Sequence, residues 1–397
     1  MVTPRTNLTR RVLAALDASP SRIPVLVGGC GSGRTTLLHQ LRDRIGRSTA
    51  QYIDVERTAT TPERFARASI GASPFPPGGR GLQPTAAESG APAQTHSGTG
   101  EGPRSGFEAL LTFLSTAKGA GGETATFLLD EFLELRTFES FPGLRRVLYE
   151  LVDRLGSSDN RFVLTSRYVA RTLRLLRDRS ARFELIPMPG FTVEDTLDLL
   201  GGAGPANAGD ADYVAGTVQA LADGCPAYVR AIVEELVVEQ RASGGPHDPI
   251  SALVALLGPE GRLAKHCNFC YELRLHRARG YGALKAILEI LAEEEGLTLT
   301  EISQRLQRTP GSTKDYLSWL EDVDLVTARQ KRYSYTDSLL RVWVRLHCRP
   351  TAPTEDDVAR EVHAYALPRL PAQKPQAAEA AYAMASAGTG SGIIEID

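Results

Sequence analysis

The spacing of apolar positions changes several times along the chain, and each change marks an element. Residues 8–17 repeat apolar positions at helical spacing, as a short amphipathic helix does. "RIPVLVGG" is then a brief β-branched run flanked by Pro24 and glycines, which reads as a strand. "TTLLHQLRDRI" follows as a helix and "QYIDVE" as a second strand. "TPERFARAS" reads as a helix capped by Thr61 with Pro62 in its first turn. The alternation resumes with the helix "FEALLTFLSTA" and the strand "TATFLLDEF". It continues through the helix "FPGLRRVLYELVDRL", strand "RFVLTSR", helix "YVARTLRLLRD" and strand "RFELIPM". Strands alternating with helices predict an α/β domain whose parallel sheet is covered on both faces.

From residue 191 the period stays helical, through "TVEDTLDLL", "DADYVAGTVQALADG" and "PAYVRAIVEELVVEQ". A compact set follows: helices "ALKAILEILAEEE", "LTLTEISQRL" with Thr300 as its expected cap, and "TPGSTKDYLSWLEDVDL". "VTARQKRYSYTD" then reads as two short strands joined by a basic turn. Helix, helix, helix and ribbon is the order of a winged helix-turn-helix. Residues 71–106 are Gly-, Pro-, Ala- and Ser-rich, and read as a disordered insertion, since they cannot bury enough surface to offset ordering entropy. The expected domains are therefore an α/β nucleotide-binding domain over 1–190, a helical lid and linker over 191–280 and a winged helix over 281–349. A C-terminal extension over 350–397 completes the chain, loose after Pro368.

Composition narrows the function classes. A length of 397 residues suits about two or three domains. The hydrophobic share of 42% and charged share of 23% are those of a globular protein. The net charge of −2 and pI near 6.4 supply no global basic field, so any nucleic-acid contact must rest on a local patch. Five cysteines, odd in number and unevenly spaced, are no disulfide framework. No apolar run approaches the roughly 20 residues that span a bilayer, and the N-terminus lacks the apolar core of a signal peptide. The expectation is a soluble cytoplasmic protein without a membrane partner.

The candidate chemistry begins at "GGCGSGRT", Gly28 to Thr35. It matches the phosphate-binding loop G-x-x-x-x-G-K-[ST] with arginine for lysine. Glycines let successive N–H groups turn inward around phosphate oxygens, and the following helix points its dipole at the anion. Gly28, Gly29, Gly31 and Gly33 supply that freedom; Cys30, Ser32 and Arg34 complete the loop; Thr35 offers a hydroxyl to magnesium and Thr36 one to a phosphate. A Gly-rich strand-to-helix turn is the plain alternative. "TFLLDEF" answers it: an apolar strand ends at Asp130, able to hold a magnesium shell, and Glu131, able to orient the attacking water. Arg34 can neutralise phosphates, but its planar fork is longer than lysine. Misplacement by about 1 Å can cost about a hundredfold in rate, so binding is expected more securely than turnover.

Two further stretches admit two readings each. "FVLTSR" ends a strand in Thr165, Ser166 and Arg167, either a γ-phosphate sensor or a polar strand end before a helix cap. Gly224-Cys225-Pro226 either orients the lid over the nucleotide or merely ends one helix and starts the next.

Taken in order, the altered loop at Gly28–Thr35, "FLLDE" at 127–131, "LTSR" at 164–167, Gly224-x-Pro226 and the trailing winged helix resemble the archaeal-type ATPases. These belong to the STAND class of signalling P-loop NTPases, relatives of AAA+ proteins. The "YTDSLLRVWVRLH" run at 335–347 is similar to the segment closing the winged helix in that family. The resemblance implies ATP and magnesium as cofactors and a conformational switch read out by the winged helix, by a protein partner or by nucleotide-dependent homo-oligomer contacts. It implies that Asp130 holds magnesium, Glu131 is the hydrolytic residue and Arg167 the nucleotide sensor. Arg34 departs from the family's lysine, which predicts weak or absent hydrolysis. No N-terminal "GRE"-type segment is recognisable, and Arg5 to Leu8 is the candidate for its base-contacting role.

In the winged helix, the third helix offers Ser312, Thr313 and Lys314 near its start, against Asp315, Glu321 and Asp322, which repel phosphate. Tyr316, Leu317, Trp319 and Leu320 fall at core or interface spacing. Arg329, Lys331 and Arg332 beside Tyr333 and Tyr335 make the wing the better candidate for DNA backbone contact, with packing or partner binding as the alternative. "HCNFCYELRLH" presents His266, Cys267, Cys270 and His276. A structural zinc needs four converging ligands, and small buried thiols in a helix account for the run better.

Overall fold

The computed structural model describes residues 5–75, 102–179, 181–201, 208–243, 248–275 and 280–371. Most of the expected insertion, His276 and the tail beyond residue 371 lie outside the described residues.

The first domain opens with α1 (Thr6–Leu16), β1 (Ile23–Val27), α2 (Arg34–Ile45), β2 (Ala50–Asp54) and the single turn α3 (Val55–Thr58). It continues with α4 (Pro62–Gly71), α5 (Pro103–Thr116), β3 (Thr126–Asp130), a 3-10 segment Phe132–Ser140 and α6 (Val147–Ser157). β4 (Arg161–Ser166), α7 (Val169–Leu176) and β5 (Phe183–Pro187) complete it. The strands form one parallel sheet in the order β2-β3-β4-β1-β5. Every residue of β1 and β3 is buried, as a strand covered on both faces requires. On one face Leu26, Leu128, Val163 and Ile186 pack against α1 and α2 through Val12, Leu37, Leu38 and Leu41. On the other, Phe127 stacks on Phe162 and meets Phe75 and Phe113 edge-on.

Local chemistry moved some expected boundaries. α5 begins at Pro103 and Phe75 is buried against Phe127, so both ends of the 71–106 stretch are structured. The helix expected from Phe141 starts only at Val147, because Gly143 adopts φ +78 and breaks the helical path.

The helical region comprises α8 (Val193–Gly201), α9 (Ala208–Leu221), α10 (Pro226–Ser243), α11 (Pro249–Leu257) and α12 (Arg262–Leu275). The winged helix follows as α13 (Tyr281–Glu293), β6 (Leu297–Thr298), α14 (Leu299–Arg305), α15 (Pro310–Asp322), β7 (Val326–Arg329) and β8 (Arg332–Tyr335). Its three strands pair antiparallel in the order β6-β8-β7. α16 (Ser338–His347) and α17 (Glu355–Ala366) pack against it and the lid. Thr300 does not cap α14: Thr298 does, in a capping box with Glu301, whose carboxylate returns to the Thr298 N–H at 2.7 Å. Among the described residues no helix is long and apolar enough to cross a membrane.

The winged helix is docked on the sheet domain. Asp322, at the end of α15, pairs with Arg174 of α7. Asp324, in the turn after α15 at φ +52, accepts from the Ala170 N–H at 3.3 Å in the first turn of α7. Its backbone carbonyl lies 3.4 Å from Nη1 of Arg274 on α12. Burial pushes the Asp324 carboxyl up to about 6, against the α7 amides, Arg274 and Arg171.

A carboxyl raised on folding binds its proton more tightly in the native state, so its ionisation costs stability as pH rises through the window from about 4 to about 6. Asp324→Asn keeps a residue type that tolerates the left-handed turn and removes that cost. Relative to the wild type, its thermal stability should be level below pH 4 and gain about 3 kcal/mol by pH 7. An equal difference at every pH, read by thermal unfolding, contradicts this assignment.

Candidate nucleotide site

The site lies where β1, β3 and β4 end. The strand order puts β4 between β1 and β3, so the ends of the loop strand, the acid strand and "LTSR" converge. The loop leaves β1 at Val27 and enters α2 at Arg34. Gly31 (φ +76) and Gly33 (φ +85) take left-handed conformations that turn the loop back on itself. A side chain at Gly31 would also meet Cβ of Ala227 on α10 at 2.6 Å. The loop and the lid therefore touch through bare backbone, and the Ala227 N–H donates to the Gly31 carbonyl at 3.2 Å.

A cavity of about 300 Å³ opens onto the first turn of α2. Its floor is Gly31 to Thr36, and its roof is Arg5, Phe191, Pro226, Ala227 and Arg230. Arg5 and Arg230 both lie over the Phe191 ring, at 5.4 and 5.5 Å. Both terminal nitrogens of Arg5 are buried and have no hydrogen-bond partner among the described residues. Desolvation lowers the Arg5 pKa, partly offset by Asp195. At Gly224-Cys225-Pro226, Gly224 closes the turn at φ +66, Pro226 starts α10, and that start roofs the cavity.

The residues singled out for magnesium are in contact. Thr35 donates from Oγ1 to Asp130 Oδ2 at 2.7 Å. Tyr52 on β2 donates to the same oxygen at 2.9 Å, and Thr165 on β4 donates to the other. Burial, then the Asp130 charge, pushes the Tyr52 phenol far above its usual range. Thr165 also accepts from the Glu131 N–H at 2.9 Å, which fixes Glu131 in a left-handed conformation at φ +54.

Arg34 takes a position that sequence spacing did not reveal. Its guanidinium turns back over the loop. Nη1 donates to the carbonyls of Gly28 and Gly29, the latter at 2.5 Å, and to Ser32 Oγ at 2.8 Å. Nη2 binds Glu131 Oε1 at 2.5 Å, with both side chains under a tenth exposed. The second oxygen of Glu131 accepts from the Arg167 N–H at 3.0 Å and lies 3.2 Å from its Nε. Arg167 in turn pairs with Glu56 on α3. Burial acts to raise the Glu131 pKa, but Arg34 and Arg167 outweigh it and hold the carboxyl below its usual range. Burial acts to lower the Arg167 pKa, and Glu131 and Glu56 drive it far above normal instead.

Sequence reading missed Tyr52, Glu56, Phe191, Arg230 and Arg274. Tyr52 and Glu56 flank the end of β2, one strand beyond the acids, a position that a strand-order argument could have marked. Arg230 stands one turn after Pro226 and carries no local signal.

In the winged helix, Lys314, Arg329, Lys331 and Arg332 are all exposed. Gln330 and Lys331 adopt φ +51 and +65, the backbone of a two-residue hairpin turn that thrusts the wing outward. Leu317 and Leu320 are buried and Tyr316 and Trp319 half-buried against the core. Among the described residues no group of His, Cys, Asp and Glu is arranged to hold a metal ion, and Cys267 and Cys270 are buried thiols.

A family model described as winged helix-turn-helix DNA-binding matches residues 283–327. No curated protein sequence matches the chain. Among solved structures, the Walker-type ATPase PABY2304 of Pyrococcus abyssi superposes with a TM-score of 0.58 at 16% identity, over 87% of this chain and 96% of that one. The Aeropyrum pernix ORC1 protein in complex with DNA gives 0.44 at 17% identity, over 86% and 91%. A variant of Thermotoga maritima RuvB gives 0.42 at 14% identity, over 84% and 92%. The fold is that of a P-loop ATPase followed by a helical region and a winged helix-turn-helix.

The cavity fits an anion with an apolar appendage: loop backbone and a helix start at one end and an Arg-flanked aromatic ring at the other.

Glu131 carries structural weight because two buried guanidinium groups depend on it. Glu131→Gln should lower stability by about 3 kcal/mol, the cost of leaving a buried charge uncompensated. An unchanged unfolding midpoint would show that the arginines find other partners.

Proposed function

We propose that the chain is an ATP-binding regulatory ATPase of the STAND kind, in which nucleotide state governs the lid and the winged helix and hydrolysis is weak or absent. The observation that carries this reading is that the loop and the start of α10 line one cavity while Thr35 and Arg34 of that loop bind the acid pair, Asp130 and Glu131. The backbone of Gly28, Gly29, Cys30, Gly31, Ser32 and Gly33 cradles the phosphates, Thr35 and Asp130 hold magnesium, and Thr36 lies on the phosphate side. Bound Mg-ATP supplies the phosphoanhydride and the metal charge that polarises it. Arg5, Phe191 and Arg230 give the rest of the nucleotide an amphipathic wall.

The pairing of Arg34 supports weak turnover. A residue that activates water needs a free acceptor and a pKa near the working pH. Glu131 has both oxygens engaged by arginines and its pKa lowered. Arg34 likewise meets a phosphate with much of its charge already matched by Glu131. In this reading Glu131 is the residue that orients water once Arg34 releases it, and Arg167 senses the terminal phosphate. Arg167 lies two residues before α7, whose first turn receives Asp324 of the winged helix. That adjacency is the route by which nucleotide state reaches the winged helix and, beyond it, a protein partner or a second copy of the chain.

The exposed basic wing favours a second reading, a DNA-binding regulator that uses the P-loop fold as a non-catalytic platform. There Arg329, Lys331, Arg332 and Lys314 contact the phosphate backbone.

Saturation with Mg-ATP at about 100 times Kd should stabilise the protein by about 2.7 kcal/mol; absence of any shift with Mg-ATP or Mg-ADP rejects the nucleotide reading. Arg34→Lys frees Glu131 from its forked partner and should raise ATP turnover above wild type. If it is as inactive as Glu131→Gln, the hydrolytic role of Glu131 is wrong. Alanine at Arg329, Lys331 and Arg332 together should abolish salt-dependent retention on duplex DNA and leave Mg-ATP stabilisation intact. Retention unaltered by that change removes the wing as the DNA contact.

A further inference from the structure

The loop's own arginine is engaged elsewhere. Nη1 of Arg34 donates to the Gly28 and Gly29 carbonyls and to Ser32, and Nη2 holds Glu131. Both terminal nitrogens of that guanidinium are therefore taken, and its charge lies against a buried carboxylate. A loop in that state offers a polyanion its backbone amides and a helix start worth roughly half an elementary charge. A second cation stands beside the loop, and it comes from a different helix.

Arg5 is the N-cap residue of α1, and its carbonyl accepts from the Thr9 N–H at 2.9 Å. Leu8, Val12 and Leu16 of α1 are buried with Leu26 of β1 and Leu37 and Leu38 of α2. This packing holds the start of α1 beside the start of α2. A methyl group placed on Gly33, the N-cap of α2, would lie 4.0 Å from the Arg5 guanidinium carbon. Of Arg5 to Leu8, the segment expected to contact the base, Arg5 alone lines the cavity with Gly31 to Thr36, and Leu8 is in the core. The Nη atoms of Arg5 are buried with no hydrogen-bond partner among the described residues. Asp195 is a nearby counter-charge and Arg230 a nearby second cation. Asp195 Oδ2 already accepts from the Thr192 N–H at 2.9 Å. Buried donors without acceptors destabilise a fold, and an anion in the cavity would supply the acceptors.

We propose that Arg5 is the phosphate-binding cation of this site, a role that the engaged Arg34 does not fill, and that the group it recognises is a chain of two or more phosphates. The inference rests on the proposed nucleotide site and names what holds the ligand there. Arg5 does more than complete the wall around the nucleotide: its planar fork matches phosphate oxygens in pairs. The charge arrives from α1 and the amides from the loop. Arg34 can then stay on Glu131 while an anion is bound, so binding and the release of Glu131 are separate events.

The probe is inorganic tripolyphosphate, which carries phosphates and no base, set beside ATP on the full chain with magnesium present throughout. Affinities are read from the rise of the unfolding midpoint with ligand concentration. Both ligands should stabilise the wild type. Arg5→Gln should weaken both alike, by about tenfold or about 1.4 kcal/mol. Arg5→Lys keeps the charge and should recover most of that loss; a response as weak as that of Arg5→Gln overturns the proposal. Without ligand, Arg5→Gln should unfold at or above the wild-type midpoint, since the Arg5 fork makes no bond within the chain. A lowered midpoint shows Arg5 already paired inside the protein and overturns the proposal. If ATP is weakened and tripolyphosphate is not, Arg5 contacts base or sugar, and the proposal is wrong. If the wild type binds both ligands and Arg5→Gln binds them equally, the inference fails and the nucleotide reading stands. If the wild type responds to neither ligand, the nucleotide reading fails and the inference falls with it.

Discussion

A buried ion pair between residues 97 positions apart sets the geometry of the site. Arg34 and Glu131 are each under a tenth exposed, and taking two such charges out of water costs several kcal/mol per ion. Attraction across a single contact rarely repays that. Here the repayment comes from further bonds: the guanidinium also binds the Gly28 and Gly29 carbonyls and Ser32, and the carboxylate also receives Arg167. The loop, the acid strand and the end of β4 are thereby held as one unit. A lysine is a compact point charge and could not bridge loop carbonyls and carboxylate with the same fork.

The same unit extends outward. Arg167 passes from Glu131 to Glu56 and into α7, and α7 receives the turn that follows α15. Arg274 runs a second line, from the Cys30 sulfur to the Asp324 carbonyl. Both lines join the phosphate loop to the winged helix through packed, charged and hydrogen-bonded side chains. Such contiguity is a physical route for coupling; the coupling itself is a matter of measured free energies.

Much of this was legible in the sequence. The β-branched runs, the glycines of Gly28 to Gly33 and the acids at the end of "TFLLDEF" are local patterns with local causes, and the order of elements suffices for a P-loop sheet and a winged helix. Cap chemistry was legible only in part: Thr61 caps α4 as its sequence suggests, whereas Thr298 displaced Thr300 because Glu301 completes its capping box. What stayed hidden depends on distance in the chain. Nothing beside Arg34 announces that its partner is Glu131. Nothing beside Phe191 announces the two guanidinium groups on its ring. The left-handed turns at Asp324 and Lys331 occupy positions where glycine or asparagine would have been the signal.

The central claim is that Arg34 and Glu131 act as a single structural unit. A double-mutant cycle with Arg34→Met, Glu131→Gln and the double variant, followed by thermal unfolding without nucleotide, measures it most directly. The account predicts that the double variant is more stable than the sum of the single losses, by about 2 kcal/mol. Losses that add to within about 0.5 kcal/mol would show two independent side chains and contradict it.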